Sequence, residues 1–369
     1  MTIILFIIVL AILIFAHELG HFLMAKWGKI RVDEFGLGLP PRVFGVKYGE
    51  TIYSLNWLPF GGFVKIFGED PTEENTNGPD KDRSLVNRPK WIQAIVLVAG
   101  VSFNMVLAWM LISINLMIGM PVATDGVPKG MAIDNEMLAI VNVLKDSPAE
   151  KGGLKTGDQL VALSANSEKV TDLSAETVRE FIKKFPNQKV KVEYLRKTNG
   201  FSSSTVATVT PKANSSSSDA MIGIAMQKIG LVSVSWWQAP YYGIIFTYHL
   251  IVNTFLSFKD FFGSIFTDGR GALTAVAGPI GIYALMSDAT RLGLVYLLNF
   301  MAIISINLAI LNLLPFPALD GGRLLFVVIE AVIRRPIKPS VANALNLVGF
   351  VLLILLMLVI AISDILKLI

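Results

Sequence analysis

Cysteine is absent from this chain of 369 residues, and histidine occurs only three times. The first absence excludes disulfide scaffolds, thiol nucleophiles and cysteine-ligated zinc together. It leaves the compartment open, since a thiol-free chain suits either side of a membrane. Charge is scarce as well. Asp, Glu, Lys and Arg make up 16% of residues, against 53% hydrophobic ones and a mean hydropathy of +0.60. Soluble domains average about 25% charged residues, so this is the composition of a membrane protein. The net charge of +4 is spread thinly, with no basic stripe of the kind nucleic acid requires. No Lys or Arg precedes Lys26. A secretory leader needs a basic start before its apolar core, so the run from Ile3 to Met24 reads as a retained first span.

Two of the three histidines lie inside that run, in His17-Glu18-Leu19-Gly20-His21. Four residues apart on a helix, they share one face. Two imidazoles so placed can hold Zn²⁺ at about 2.0–2.1 Å, with Glu18 as base for the zinc-bound water. A chance pentapeptide is a poor alternative. An ionisable group near a bilayer centre costs roughly 2.5–3.5 kcal/mol and is by default functional there. At about 1.5 Å per residue, the pair sits roughly 21–27 Å down a core about 30 Å thick, toward its inner end.

The loop over residues 25–90 carries ten Lys/Arg and nine acidic residues. Orientation follows Lys and Arg, not net charge, so the loop is cytoplasmic and the N-terminus extracytoplasmic. Within it, Ile52–Ile66 reads as two short strands about a Pro/Gly turn, apolar enough to dip back toward the membrane. Glu69 to Lys81 reads as a charged, mobile connection. A second span runs from Trp91 to Met120. Gly100 and Asn104 share a face of it; the glycine permits close helix approach, and the amide can bond a neighbouring span. Residues 236–266 are apolar and aromatic, but parity of crossings makes them an interfacial or re-entrant helix, with His249 an interfacial polar residue. A third span, about Leu292–Leu314, carries Asn307 and Asn312, breaks at Pro315 and Pro317, and leads into Ala318-Leu319-Asp320-Gly321-Gly322-Arg323. Leu345–Ile362 is the fourth, ending outside.

Residues 122–229 change character to a Lys-rich, polar insert. A strand is expected over Leu138–Leu144 and a helix over 174–185 with Ser174 as N-cap. Strands at 189–196 and 203–210 flank an Asn199-Gly200 turn, and Met221–Met226 closes the unit. With "SPAEKGGLKTGD" (Ser147–Asp158), this order resembles the bacterial circularly permuted PDZ domain. Such domains add an extended peptide to a sheet edge. The groove is expected between the first strand (Ile140, Val141, Asn142, Val143) and helix 174–185. The expected fold is an α-helical polytopic membrane protein with four transmembrane helices, a membrane-associated β-hairpin, an interfacial helix and an inserted α+β domain. Its parts are residues 1–120, 121–229 and 230–369.

Catalytic zinc keeps three protein ligands. Without cysteine, the third is a carboxylate or His249, and Asp320 is the carboxylate that the topology brings to the same depth. Otherwise Asp320 caps the helix that follows it. HELGH, "NLLPFPALDGG" (Asn312–Gly322) with Asn307 before it, "WLPFGGFVKI" (Trp57–Ile66), "AGVSFN" (Ala99–Asn104) and "AGPIGI" (Ala277–Ile282) together resemble the bacterial site-2 intramembrane metalloproteases over nearly the whole chain. The resemblance implies His17, His21 and Asp320 as zinc ligands and Glu18 as catalytic base. It also implies Asn307 and Asn312 as substrate-handling residues, and the hairpin at Gly61, Gly62 and Phe63 as a substrate clamp. The sigma-E-type members carry two tandem PDZ domains, whereas this insert has room for one. The expected activity is zinc-dependent cleavage of transmembrane segments of single-pass proteins, such as anti-sigma factors or signal-peptide remnants. It would take place in the bacterial inner membrane, after an upstream site-1 protease, with the active site toward the cytoplasm and the PDZ domain and both termini outside. A membrane adaptor built on the PDZ domain needs no metal and is the competing reading.

Overall fold

The computed structural model describes residues 2–69, 72–128, 131–198, 201–214, 217–267 and 277–368. The first helix, α1 (Thr2–Trp27), holds no proline and stops at Gly28, beyond which Lys29 turns to positive φ. The strands β1 (Val32–Tyr48) and β2 (Thr51–Ile66) follow, then a short helix α2 (Glu73–Asn77) and a long one, α3 (Lys90–Ile118). After the insert come α6 (Ala239–Thr267), α7 (Pro279–Leu292), α8 (Leu294–Leu313), α9 (Asp320–Ile333) and α10 (Pro339–Leu368). Among the described residues, four helices are long and apolar enough to cross a membrane: α1, α3, α8 and α10 from Pro339 to Leu366. The most apolar window of α10 is only 6% buried. A helix that shows apolar side chains on nearly every side is suited to lipid rather than water. Helix α6, expected at the interface, is not one of the four.

The hairpin departs from expectation. Residues 52–58 and 62–66 do not pair with one another about the Pro/Gly break. Both instead pair with the first half of β1, on its two sides: Leu37 lies opposite Leu55 and also opposite Gly62. The second half of β1 returns along β2, with Phe44 opposite Leu55 and Tyr48 opposite Thr51. The chain thus reverses at Gly49–Glu50 as well as at Pro59–Gly61, and the segment before Ile52 supplies the central strand. The connection after it is also ordered in part. In α2, Asn75 and Thr72 exchange hydrogen bonds of 2.8 and 3.4 Å, the usual way of satisfying a short helix's free amides.

Two compact units emerge, one of them Met1–Ser113, Pro240–Ser287 and Phe300–Ile369, the other Ile114–Ala239 and Asp288–Asn299. The second contains a seven-stranded sheet. Its strands are β3 (Met120–Ala123), β4 (Asp134–Val143), β5 (Gln159–Ala165), β6 (Glu168–Val170), β7 (Val190–Thr198), β8 (Phe201–Val209) and β11 (Ile224–Val232). Their order is β3-β11-β4-β5-β7-β8, with β6 on β5. The pair β9 (Lys212–Asn214) and β10 (Ser217–Met221) stands apart, and the Asn199-Gly200 turn lies outside the described residues. Helices α4 (Pro148–Lys151) and α5 (Ala175–Lys184) complete the unit. Ser174 caps α5 in a reciprocal box with Thr177, and Val178, Phe181 and Ile182 join Leu138, Ile140 and Val192 in the core.

This sheet order leaves no free edge along the Ile140–Val143 stretch expected to border a peptide groove. Strand β4 is bordered by β11 along its length, and on its other side Ile140 exchanges hydrogen bonds with Gly157 and Asp158 (2.8 and 2.9 Å). Asn142 and Val143 pair with Ala225 and Ile224. A strand bonded on both sides offers no edge to an added peptide. Both β10 and β11 approach α5, and β11 pairs with β3 only over Ile229–Val232, so its Ile224–Lys228 portion keeps one edge free among the described pairings.

Candidate metal centre

Helices α1 and α3 cross where both have glycine. A side chain at Gly20 would strike the backbone of Ala99, and one at Gly100 would strike the rings of His17 and His21. The close approach lets α3 act on the two imidazoles directly. Nδ1 of His21 donates to the Val96 carbonyl at 2.8 Å, and the Asn104 side chain stands 3.4 Å from Nδ1 of His17. Both histidines are buried, at 9% and 7% exposure.

The third group arrives on the break after α8. The chain passes Pro315 and Pro317, takes positive φ at Ala318, whose amide donates to Asn346 Oδ1 (3.3 Å), and starts α9 at Asp320. Gly321 and Gly322 follow because the carbonyls of Leu313, Leu314 and Phe316 occupy the space where their side chains would lie. Gly321→Ala is therefore expected to destabilise the protein by about 1–3 kcal/mol, as overpacking does, seen as earlier thermal unfolding in detergent. Two ion pairs hold α9 in place: Lys90 with Glu330 at 2.5 Å, and Arg323 with Glu69.

The result is a convergence of three atoms. Asp320 Oδ2 lies 3.0 Å from His17 Nε2 and 3.3 Å from His21 Nε2, and the two Nε2 atoms are 3.2 Å apart. Tetrahedral ligands at about 2.0–2.1 Å from a zinc ion stand roughly 3.3 Å from each other, so the triangle has the right size. Its chemistry agrees. With the His21 proton committed to Val96, Nε2 of that ring presents a lone pair toward a carboxylate oxygen and a second imidazole nitrogen. Such a cluster of acceptors is suited to a cation. Among the described residues, these three form the one group of His, Asp or Glu spaced for a metal; His249 is exposed and lies elsewhere on α6.

A cavity of about 220 Å³ opens beside the triangle, lined by His17, Glu18, Asn104, Asn312 and Asp320 together with Leu13, Ile14, Leu308, Ala318 and Leu319. Glu18 is thus next to the metal position without being one of the converging ligands. Its side chain packs near Gly62, and the Val64 backbone amide is within hydrogen-bonding reach of its carboxylate. The strand segment 62–66, containing Phe63, accordingly runs past the face of α1 that carries Glu18. Gly61, at positive φ, is the corner before it. Asn307 does not line this cavity. Five residues before Asn312, it points about 140° away around α8. Gly100 does more than permit the close helix approach expected of it, since it makes room for both imidazoles; its four-residue spacing from Asn104, repeating that of His17 and His21, is the signal in the sequence.

Two buried histidines on a membrane-length helix, met by the half-buried Asp320 at the start of α9 and with a glutamate beside them, are the arrangement of a metallohydrolase. The model of peptidase family M50 matches residues 5–356, and the chain belongs to this site-2 protease family. It is 34% identical to a protein of Clostridium perfringens provisionally named a zinc metalloprotease, over 99% of this chain and 98% of that one. It is 30% identical to the zinc metalloprotease RasP of Geobacillus kaustophilus, over 99% and 98% of the two chains. The regulator of sigma-W protease RasP of Bacillus subtilis is 28% identical, over 100% and 99%. The protein is a zinc metalloprotease of the membrane, and its cofactor is Zn²⁺.

Proposed function

We propose that His17, His21 and Asp320 hold the zinc, that Glu18 is the general base, and that the enzyme cuts transmembrane segments of single-pass proteins. The observation that carries this is the meeting of three ligand atoms from α1 and α9 beside a cavity that also contains Glu18. Zinc bound there supplies Lewis acidity toward the scissile carbonyl and lowers the pKa of its water toward about 7. Glu18 takes the proton of the attacking water and delivers it to the departing amine nitrogen. A helical substrate resists this chemistry because its amides are already bonded, and releasing each in lipid costs several kcal/mol. The edge of strand 62–66, near Glu18, replaces those bonds by accepting the substrate as an added strand. Asn312, on the cavity wall, offers its side-chain amide to the same extended chain. Asn307, on another face of α8, is outside this cavity's lining, and any contact it makes with substrate is at a different place.

The distribution of Lys and Arg among the loops supports a metal toward the cytoplasmic face, with the 121–229 insert and both termini outside. That unit is a PDZ-type filter that admits substrates already shortened by a first protease. The free edge of β11, beside α5, is its peptide site in place of β4. Anti-sigma factors are the favoured substrate class, since a relative is named for regulating a sigma factor; signal-peptide remnants are the second.

Zinc content and cleavage measured side by side for wild type and Asp320→Ala test the reading. Loss of a ligand is expected to remove stoichiometric zinc and to abolish cleavage together. Full zinc with full activity in the variant would refute the ligand assignment. The adaptor reading requires no zinc at all, so stoichiometric metal in the wild type already counts against it.

A further inference from the structure

We infer that Asn104 is a positioning residue for the metal centre: its side-chain carbonyl accepts the Nδ1 proton of His17 and so leaves Nε2 free for the ion. The inference rests on the reading of His17, His21 and Asp320 as zinc ligands, and deepens it.

Three observations point to it. Asn104 is fully buried, at 0% exposure, and its Oδ1 has no hydrogen-bond partner among the described residues. Its amide nitrogen stands 3.4 Å from Nδ1 of His17. On the other ring, His21, the corresponding Nδ1 already donates to the Val96 carbonyl. A neutral imidazole has one donor and one acceptor nitrogen. If the Asn104 NH₂ donated to Nδ1 of His17, the ring proton would sit on Nε2, the atom 3.0 Å from Asp320, and that nitrogen could not bind metal. If Nδ1 kept its proton, two donors would face each other while Oδ1 stayed orphaned, at a cost of about 1–3 kcal/mol. A half-turn of the amide removes both conflicts, and oxygen and nitrogen of an amide are told apart by such partners. Histidines that ligate metals almost always donate their other nitrogen in this way.

The amide is well anchored for the task. The Asn104 backbone carbonyl accepts from Ser305 Oγ at 2.8 Å, and Ser305 is itself fully buried on α8. Helix α3 therefore presents two acceptors, Val96 O and Asn104 Oδ1, on either side of Gly100. Together they set both imidazoles in one tautomer before any ion arrives.

Because Asn104 also lines the cavity, a substrate-binding role is the rival, and the test separates the two. Full-length protein in detergent is titrated with zinc against a competing chelator, for wild type, Asn104→Leu, Asn104→Asp and Asp320→Ala, with kcat and KM measured alongside. Asn104→Leu is expected to weaken zinc binding about 10–100-fold. Asn104→Asp, which keeps an acceptor and cannot donate, is expected to stay within a few-fold of wild type. Should Asn104→Leu fail to accumulate, Asn104→Ala carries the same expectation. Unchanged zinc affinity with a raised KM would overturn the inference in favour of substrate contact, and equal losses in the Leu and Asp variants would overturn it in favour of mere packing. Wild-type zinc affinity in Asp320→Ala would instead sink the ligand reading beneath it.

Discussion

Replacing Glu18 by Gln is expected to leave zinc bound and to lower the rate of peptide cleavage by about 10²–10⁴-fold, the usual contribution of a general base. The geometry makes the two effects separable. His17, His21 and Asp320 supply the three converging atoms, and Glu18 is not among them. It occupies the wall of the same cavity, one residue along α1, near Gly62 and the Val64 amide. Glutamine has nearly the same volume and keeps an acceptor oxygen beside the Val64 amide, so neither packing nor the strand beside α1 should shift. What it lacks is the ability to take a proton from water. Zinc stoichiometry and thermal unfolding should match wild type while single-turnover cleavage of a membrane-embedded substrate collapses. Cleavage near the wild-type rate would assign the base elsewhere. Loss of zinc in this variant would make Glu18 a ligand instead.

The sequence carried the metal site further than it carried the sheets. His17 and His21 were legible because the helical period alone puts residues four apart on one face. Asp320 was legible because span length fixes depth and the Pro/Gly break marks where the chain leaves α8. Strand β1 was not. Gly36, Gly38, Pro40, Pro41 and Gly45 interrupt any period-two pattern, and glycine and proline weaken a strand signal even where pairing forms. Its partner β2 was read, but as pairing with itself, since nothing local says that both its halves share one central strand. The same limit hid the partners of β4. β4 is an apolar run that reads as a strand by itself, yet its neighbour β11 comes from some ninety residues later and sits between β3 and β4. Strand order is a property of the whole unit. Asn307 and Asn312 looked equivalent in sequence, but five residues of helix send them to different faces.

The crossing of α1 and α3 allows a second large effect to be forecast, from Gly100→Ala. A methyl group there would come within 2.6 Å of His17 Cε1 and 2.9 Å of its Nδ1, and closer still to His21 Nε2. Those atoms belong to rings and not to backbone, so the helices can keep their crossing if the imidazoles turn away. Turning them breaks the triangle and pulls His21 from Val96. Losing alignment of two ligands should weaken zinc at least as much as losing one supporting hydrogen bond, by about 100-fold or more, with cleavage falling in step. Gly20→Ala, at the same crossing, makes the contrast. Its methyl would meet the backbone of Ala99, which cannot turn aside, so the helices must separate and the whole protein lose about 1–3 kcal/mol. Chelator competition and thermal unfolding on both variants should therefore give opposite orders: Gly100→Ala worse for metal, Gly20→Ala worse for stability of the metal-free protein. If Gly100→Ala kept wild-type zinc affinity, the histidines would not be held against α3 as the structure has them, and the tautomers assigned through Val96 and Asn104 would fall with that placement.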